Sequence, residues 1–140
     1  MPSQLHWDQE TDLLVMGAGA AGMTTALVAA LEGLKPLVVE KSTQVGGTAA
    51  TSAGTIWIPG NRQSREAGFS DSAEAAARYM DGLIGAPDHS GLRTAYLATG
   101  PEAVDYLRRR SAVQFVPSGK HPDYRVMPGA DVTGRALAPA

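Results

Sequence analysis

Six residues near the start of the chain have the spacing of a phosphate-binding turn. The segment Gly17-Ala18-Gly19-Ala20-Ala21-Gly22 fits the pattern G-x-G-x-x-G. In such a turn the first glycine permits a sharp change of direction, the second lets the backbone approach a pyrophosphate, and the third allows a helix to pack closely on a strand. The helix start adds unpaired N–H groups and the positive end of its dipole. We therefore predict a dinucleotide site at Gly17, Gly19, Ala20, Ala21 and Gly22.

An acidic residue stands where such a site requires one. Dinucleotide-binding units place an acid about 20 residues after the glycines, at the end of the second strand, where it accepts hydrogen bonds from ribose hydroxyls. Glu40 occupies this place. Its charge would repel a 2′-phosphate, which disfavours NADP and leaves FAD or NAD. The alternative is that the glycines only cap a helix and Glu40 is an ordinary strand-end carboxylate.

A second run of small residues follows Glu40 directly. It contains Lys41, Gly46-Gly47-Thr48 and Ser52-Ala53-Gly54. Such a segment is able to lie along a long extended cofactor and to donate N–H and hydroxyl hydrogen bonds to it. A plain NAD domain would be expected to continue promptly into its second helix, so the segment favours FAD. A flexible surface loop is the alternative interpretation of the same composition.

The elements that must position these residues form one βαβ unit. The apolar run Asp12 to Met16 predicts a buried parallel strand, Met23 to Leu34 predicts a helix that ends near Gly33, and Pro36 to Glu40 predicts a second buried strand. The fold class is therefore α/β, with a Rossmann-like unit followed by helices. Because two parallel strands do not complete a doubly wound sheet, we expect residues 1–140 to be the N-terminal part of an FAD-binding domain. The remaining strands and a substrate domain would lie outside this chain.

The rest of the chain predicts helices and loops. Residues 41–61 are rich in small residues and predict a loop. Asp71 and Glu74 resemble a capping box before a helix from Ala73 to Leu83, and Thr99 to Glu102 resembles a second box at another helix start. A short strand is predicted at 113–116, and a loop at 117–128.

Composition excludes several classes of function. A formal net charge of −2 argues against a nucleic-acid partner. The chain has no cysteine and three scattered histidines, which argues against disulfides, thiolate chemistry and a metal site. It has no apolar stretch long enough for a transmembrane segment, and its first residues do not resemble a signal peptide, so a cytoplasmic protein is expected.

Many segments between Thr11 and Pro139 are ones that occur together in a single family. They are Glu40-Lys41, Gly46-Gly47-Thr48, Ser52-Ala53-Gly54, Ile56-Trp57-Ile58-Pro59-Gly60, Asp71-Ser72, Arg93-Thr94-Ala95-Tyr96-Leu97, Pro122-Asp123-Tyr124 and Gly134-Arg135. In these segments the chain resembles the N-terminal region of the 3-ketosteroid Δ1-dehydrogenases. That family belongs to the fumarate reductase/succinate dehydrogenase flavoprotein superfamily.

The resemblance implies a non-covalently bound FAD whose N5 takes a hydride from C1 of a 3-keto steroid while a tyrosine removes a proton from C2. It also implies an external electron acceptor. Tyr124 matches a tyrosine that hydrogen-bonds this base and lowers its pKa, whereas the base itself lies downstream in the family. Trp57 would support the wall near the flavin. His121 is a departure, because an apolar or aromatic residue is expected there in a steroid pocket, so a smaller or more polar ketone is an alternative substrate.

Three other functions stay open on the sequence. The chain is interpretable as a truncated, non-catalytic dinucleotide-binding module, as an NAD-dependent dehydrogenase domain, or as a superfamily member acting on another ketone or a dicarboxylate. Purified protein that is yellow and absorbs as a flavin would exclude NAD.

Overall fold

A computed structural model describes residues 6–140, which separate into two compact units, one ending at Ala53 and one running from Gly54 to Ala140. In chain order the elements are β1 (Leu13–Met16), α1 (Ala20–Leu31), β2 (Pro36–Val39), a 3-10 helix (Gly47–Thr51), β3 (Ile56–Trp57), α2 (Arg62–Glu66), α3 (Ala73–Ile84), α4 (Leu92–Arg110), β4 (Phe115–Pro117) and β5 (Ala136–Pro139). No helix within residues 6–140 combines the length and the hydropathy that crossing a lipid bilayer requires.

The first unit is the predicted βαβ arrangement. Strands β1 and β2 pair in parallel, from Leu13 opposite Pro36 to Met16 opposite Val39, and α1 packs on both. The buried residues of α1 are the small Ala26 and Ala29, which allow the helix to approach the strands closely. The predicted α/β class with a parallel strand pair is thereby confirmed. The helix begins earlier than expected because the last residues of the glycine motif already form its first turn.

Apolar side chains of this strand pair face outward. Leu14 is 54% exposed, Met16 83% and Val39 43%. Parallel strands are normally covered on both faces, which is why their sequences are continuously apolar. The exposed residues therefore mark a surface of the first unit that residues 6–140 leave uncovered.

The second unit contains an antiparallel sheet that the sequence did not predict. Its strand order is β3-β5-β4, so the last strand of the chain lies in the middle. Its apolar core consists of the buried Ile58, Val104 and Leu137, with the partly buried Ile56 and Phe115 packed against them. Part of the predicted loop 41–61 is also ordered, as the 3-10 helix and β3.

The capping residue of one predicted helix and the start of another are corrected. Helix α3 is capped by Ser72, whose hydroxyl accepts the N–H of Ala75 at 3.0 Å, because the Asp71 carboxylate is engaged elsewhere. Helix α4 does not begin near Thr99; it is continuous from Leu92 to Arg110, with Pro101 inside it. A proline removes a single helical hydrogen bond, and the burial of Val104 in the core on the far side of Pro101 offsets this loss.

Candidate functional site: a nucleotide cradle and an apolar cleft

In the glycine turn of the first unit, the backbone conformation requires glycine at position 17 but not at position 19. Gly17 leaves β1 with a φ of +99°, a left-handed conformation that favours glycine, and its N–H donates to the carbonyl of Val39 at 2.7 Å. Gly19 is the N-cap of α1 and has an extended backbone, with φ −78° and ψ −176°. Any residue can adopt that conformation, so the backbone itself does not explain a glycine at position 19.

The second and third glycines of the motif, Gly19 and Gly22, differ in how much free space surrounds them. A Cβ on Gly22 would lie 1.9 Å from the carbonyl oxygen of Gly17, so the protein's own packing demands glycine there. A Cβ on Gly19 would have no heavy atom within 4 Å. Gly19 therefore opens onto free space at the start of a helix, where the N–H groups of Ala20 and Ala21 have no acceptor within the helix. This geometry fits a diphosphate lying against the backbone.

Glu40 faces this turn. One carboxylate oxygen accepts the N–H of Ala18, inside the glycine motif, at 2.8 Å, and the other accepts the N–H of Ser42 at 3.0 Å. These two backbone hydrogen bonds, that from Ala18 first, lower the pKa of Glu40. Each oxygen keeps a further lone pair. The carboxylate is thus fixed beside the turn, ionised, and able to accept hydroxyl hydrogen bonds.

The loop after Glu40 returns to the same place. The N–H of Gly46 donates to the carbonyl of Ala18 at 2.7 Å, and Gly46 forms a parallel bridge with Gly19. Gly47 is so close that a Cβ on it would lie 3.2 Å from the Cα of Gly19. The structure therefore brings together the glycine motif, Glu40, Gly46 and Gly47.

The other predicted cofactor-binding residues are less closely tied to the turn. Thr48 lies in the 3-10 helix, which contacts α1, whereas Lys41, Ser52 and Ala53 are exposed. Gly54 begins the second unit, with a φ of +72°, and a Cβ on it would lie 2.7 Å from a ring carbon of Pro139. Contact with a cofactor stays a prediction for these five residues and equally for those at the turn.

The lowered pKa of Glu40 predicts how flavin retention responds to acid. The ionised carboxylate contributes fully to FAD binding above the ordinary glutamate pKa of about 4.3. This contribution is lost only as pH falls through the lowered pKa that Glu40 has in the folded protein. We expect the amount of FAD released on filtration to stay constant down through the ordinary glutamate pKa and to rise only at lower pH. Glu40→Gln should release more flavin already at neutral pH, whereas Glu74→Gln, an exposed change on α3, should not. Equal release from both variants would contradict the role of Glu40.

The second unit carries a cavity of about 320 Å³ with mainly apolar walls. Its lining residues are Thr55, Ile56, Trp57, Tyr79, Met80, Leu83, Ile84, His121, Pro122, Asp123, Tyr124 and Ala136. We call this cavity the cleft. Its volume lies in the range of pockets that hold small organic ligands.

One side of the cleft is held by a buried ion network. The guanidinium of Arg135 bonds Asp71 at 2.8 Å and Asp123 at 2.6 Å, and these side chains are only 2%, 5% and 2% exposed. Burial opposes the charge of Arg135, but hydrogen bonds and attraction from both carboxylates outweigh it and raise its pKa. The other oxygen of Asp123 accepts the indole N–H of Trp57 at 2.6 Å.

The network positions the segment that carries Tyr124. Asp123 accepts the N–H of Asp131 at 3.0 Å, and the N–H of Arg125 donates to the hydroxyl of Tyr79 at 3.2 Å. Tyr124 lies between these anchors at the rim of the cleft, 91% exposed. Its backbone is therefore held on both sides while its hydroxyl stays available.

The structural partners of this segment are not recognisable from the sequence. Asp123 and Arg135 stand out there only as parts of short motifs, and Asp71 resembles a helix cap. A charged residue is hard to recognise as buried from sequence, because its burial depends on partners far along the chain.

Comparison with known families gives one match that covers almost the whole chain. The sequence profile of the family described as "FAD binding domain" matches residues 12–139.

Relatives of known activity match the same region. The chain is 46% identical over 131 residues to a 4-oxocyclohex-2-ene-1-carboxylate 5-dehydrogenase of Sinomonas cyclohexanicum, covering 91% of this chain and 22% of the relative. It is 40% identical over 133 residues to a 3-oxosteroid 1-dehydrogenase of Mycobacterium tuberculosis, covering 94% and 23%. The chain thus spans less than a quarter of the length of these curated relatives.

A solved structure shares the fold. The 3-ketosteroid Δ1-dehydrogenase of Sterolibacterium denitrificans, crystallised with 1,4-androstadiene-3,17-dione, superposes with a TM-score of 0.82 at 37% identity. The match covers 93% of this chain and 23% of that one.

Proposed function

This chain belongs to the FAD binding domain family, and from that premise we propose that the whole protein is an FAD-dependent dehydrogenase that introduces a C=C bond next to a ring ketone. The observation that carries the cofactor half is the open space at Gly19 beside the fixed carboxylate of Glu40. The dehydrogenase half is supported by the relatives named above, of which one acts on a 3-oxosteroid and another on an oxocyclohexene carboxylate. A 3-keto steroid is the first substrate to test.

We propose that the cofactor is bound without a covalent link and that it is held mainly by backbone groups. The N–H groups that open α1 donate to the diphosphate, and Glu40 accepts from the neighbouring ribose. When bound, FAD supplies the hydride acceptor, at N5 of its ring system. The described chain has no histidine between Gly46 and Gly54 to form a histidyl link.

The cleft supplies an apolar surface for a ring ketone. Its wall includes Ile56, Met80, Leu83 and Ile84, and because Leu83 is 52% and Ile84 53% exposed, a bound ring would displace water from them. We propose that the hydroxyl of Tyr124 donates a hydrogen bond to the base that removes the proton next to the ketone. By stabilising the ionised base, Tyr124 would lower the pKa of that base. Tyr124 thus acts through another residue and is a positioning residue.

The test of the proposed function uses the whole protein. We expect it to purify yellow and to reduce an artificial electron-accepting dye when given androst-4-ene-3,17-dione. Product analysis should show a new ring double bond. Colourless protein would overturn the cofactor assignment, whereas yellow protein that reduces no dye with any steroid or simple ring ketone would overturn the dehydrogenase assignment.

Replacing Tyr124 separates positioning from cofactor binding. We expect Tyr124→Phe to retain flavin fully and to lower kcat by about tenfold or more, because the base loses its hydrogen-bond donor. The pKa of the base should then rise, moving the acid limb of the kcat/KM profile to higher pH. Tyr106→Phe, the same change on α4, should leave kcat and the profile unchanged. An unmoved pH profile in Tyr124→Phe would contradict the assigned role.

Other parts of the whole protein follow as proposals. We propose that strands outside residues 1–140 complete the parallel sheet, as the exposure of Leu14, Met16 and Val39 suggests. An external electron acceptor must reoxidise the flavin after each turnover, and a cytoplasmic location stays a prediction. A non-catalytic module is the competing proposal, and the dye assay decides between them.

A further inference from the structure

His121 places a polar ring in an otherwise apolar part of the cleft. It lines the cavity together with Tyr124, and the centroids of the two rings are 6.3 Å apart at an interplanar angle of 50°. Its backbone N–H donates to the carbonyl of Gly119. Its imidazole has no hydrogen-bond partner among residues 6–140. An imidazole carries at least one N–H donor in either protonation state, so His121 has a donor to offer.

His121 is the cleft-lining side chain suited to binding an anion. Of the cleft-lining side chains one is basic, His121, and one is acidic, Asp123. Asp123 is 2% exposed, and its carboxylate is matched by the guanidinium of Arg135 at 2.6 Å and by the indole of Trp57. Its negative charge is therefore offset in part, by a cation that also pairs with Asp71. Among the described residues lining the cleft, His121 is the one basic side chain.

The apolar wall and the histidine together indicate that the cleft suits an amphipathic ligand. Ile56, Leu83 and Ile84 suit a hydrocarbon ring, while the imidazole N–H makes a stronger hydrogen bond to a carboxylate than to a neutral ketone oxygen. One relative at 46% identity acts on a six-membered ring ketone that carries a carboxylate. We propose that the cleft accepts a ring ketone bearing a carboxylate, and that His121 binds this carboxylate and sets the preference for it.

This inference rests on the proposed function for turnover, but not for binding. In the whole oxidised protein, calorimetry with 4-hydroxybenzoate and with its methyl ester measures the carboxylate contribution without any reaction. A charge-assisted hydrogen bond contributes about tenfold to a hundredfold in affinity. We expect His121→Phe to weaken 4-hydroxybenzoate binding by this factor and to change ester binding by less than about twofold.

Turnover gives the second measurement. We expect kcat/KM for 4-oxocyclohexanecarboxylate to fall by about tenfold or more in His121→Phe, mainly through KM, with the methyl ester little changed. His121→Gln keeps an N–H donor and should be intermediate. His89→Phe, an equal change at an exposed position before α4, should behave as wild type.

The outcomes separate the two proposals. Parallel losses for acid and ester, or no loss for the acid, would overturn the role of His121. Wild-type protein that oxidises androst-4-ene-3,17-dione but neither binds nor oxidises the carboxylates would overturn the inference and leave the proposed function standing. Protein that oxidises no ketone but binds 4-hydroxybenzoate through His121 would overturn the proposed function and support the carboxylate site.

Discussion

Gly19→Val is expected to yield a folded whole protein that has lost its flavin. The valine side chain would project into the open space where the diphosphate is expected to lie, so the N–H groups that open α1 could no longer reach their acceptors. Binding should weaken by far more than tenfold, that is, by far more than about 1.4 kcal/mol. The protein should purify nearly colourless, with little absorbance near 450 nm per polypeptide.

The fold should survive this substitution, which makes the test specific. Gly19 already has an extended backbone, which valine adopts readily, and the new side chain meets no protein atom within 4 Å of its Cβ. Gly22→Val is the matched contrast, because its Cβ would overlap the carbonyl of Gly17 and should lower the melting temperature as well. Normal flavin content in soluble Gly19→Val protein would be incompatible with a diphosphate lying against the backbone at Gly19.

Local patterns predicted the first unit well. Two apolar strands, a glycine turn and a helix follow one another within a short stretch, and they pack mainly on one another. The roles of Gly17, Gly19 and Gly22 also follow from their spacing alone, because each position of the motif has its own steric requirement. The geometry of the turn could therefore be predicted, including the Glu40 side chain that faces it, whereas contact of these residues with a cofactor stays a prediction.

Long-range pairing explains what was missed in the second unit. Strand β5 has the sequence Ala136–Pro139, which carries no strand pattern of its own, and it is a strand because β3 and β4 pair with it from both sides. Helix α4 continues through Pro101 for a similar reason, since packing of Val104 acts across the expected break. Local propensity is a weak guide where tertiary contacts decide.

The cleft, too, depends on long-range contacts that local sequence patterns do not predict. His121 and Tyr124 stand out in the sequence only through a resemblance to a family, whereas the ion network that supports them joins residues 64 positions apart. Sequence spacing gives no indication that Arg135 reaches both Asp71 and Asp123. The side chains of this network are nevertheless the most deeply buried charged groups among the described residues of the second unit. Their contribution to stability can be measured directly.

Arg135→Met should destabilise the whole protein by about 3–5 kcal/mol, because it leaves two carboxylates buried without their cation. Against a typical stability of about 5–15 kcal/mol, such a loss should be obvious in urea unfolding followed by circular dichroism. Arg109→Met, at a side chain 61% exposed that pairs with Asp105 on the same helix, should cost less than about 1 kcal/mol. Arg135→Lys should fall between these two, because an ammonium restores the charge but cannot span both carboxylates as a planar guanidinium does. If Arg135→Met and Arg109→Met unfolded at the same urea concentration, Arg135 would not be the buried link that joins Asp123, beside Tyr124, to Asp71.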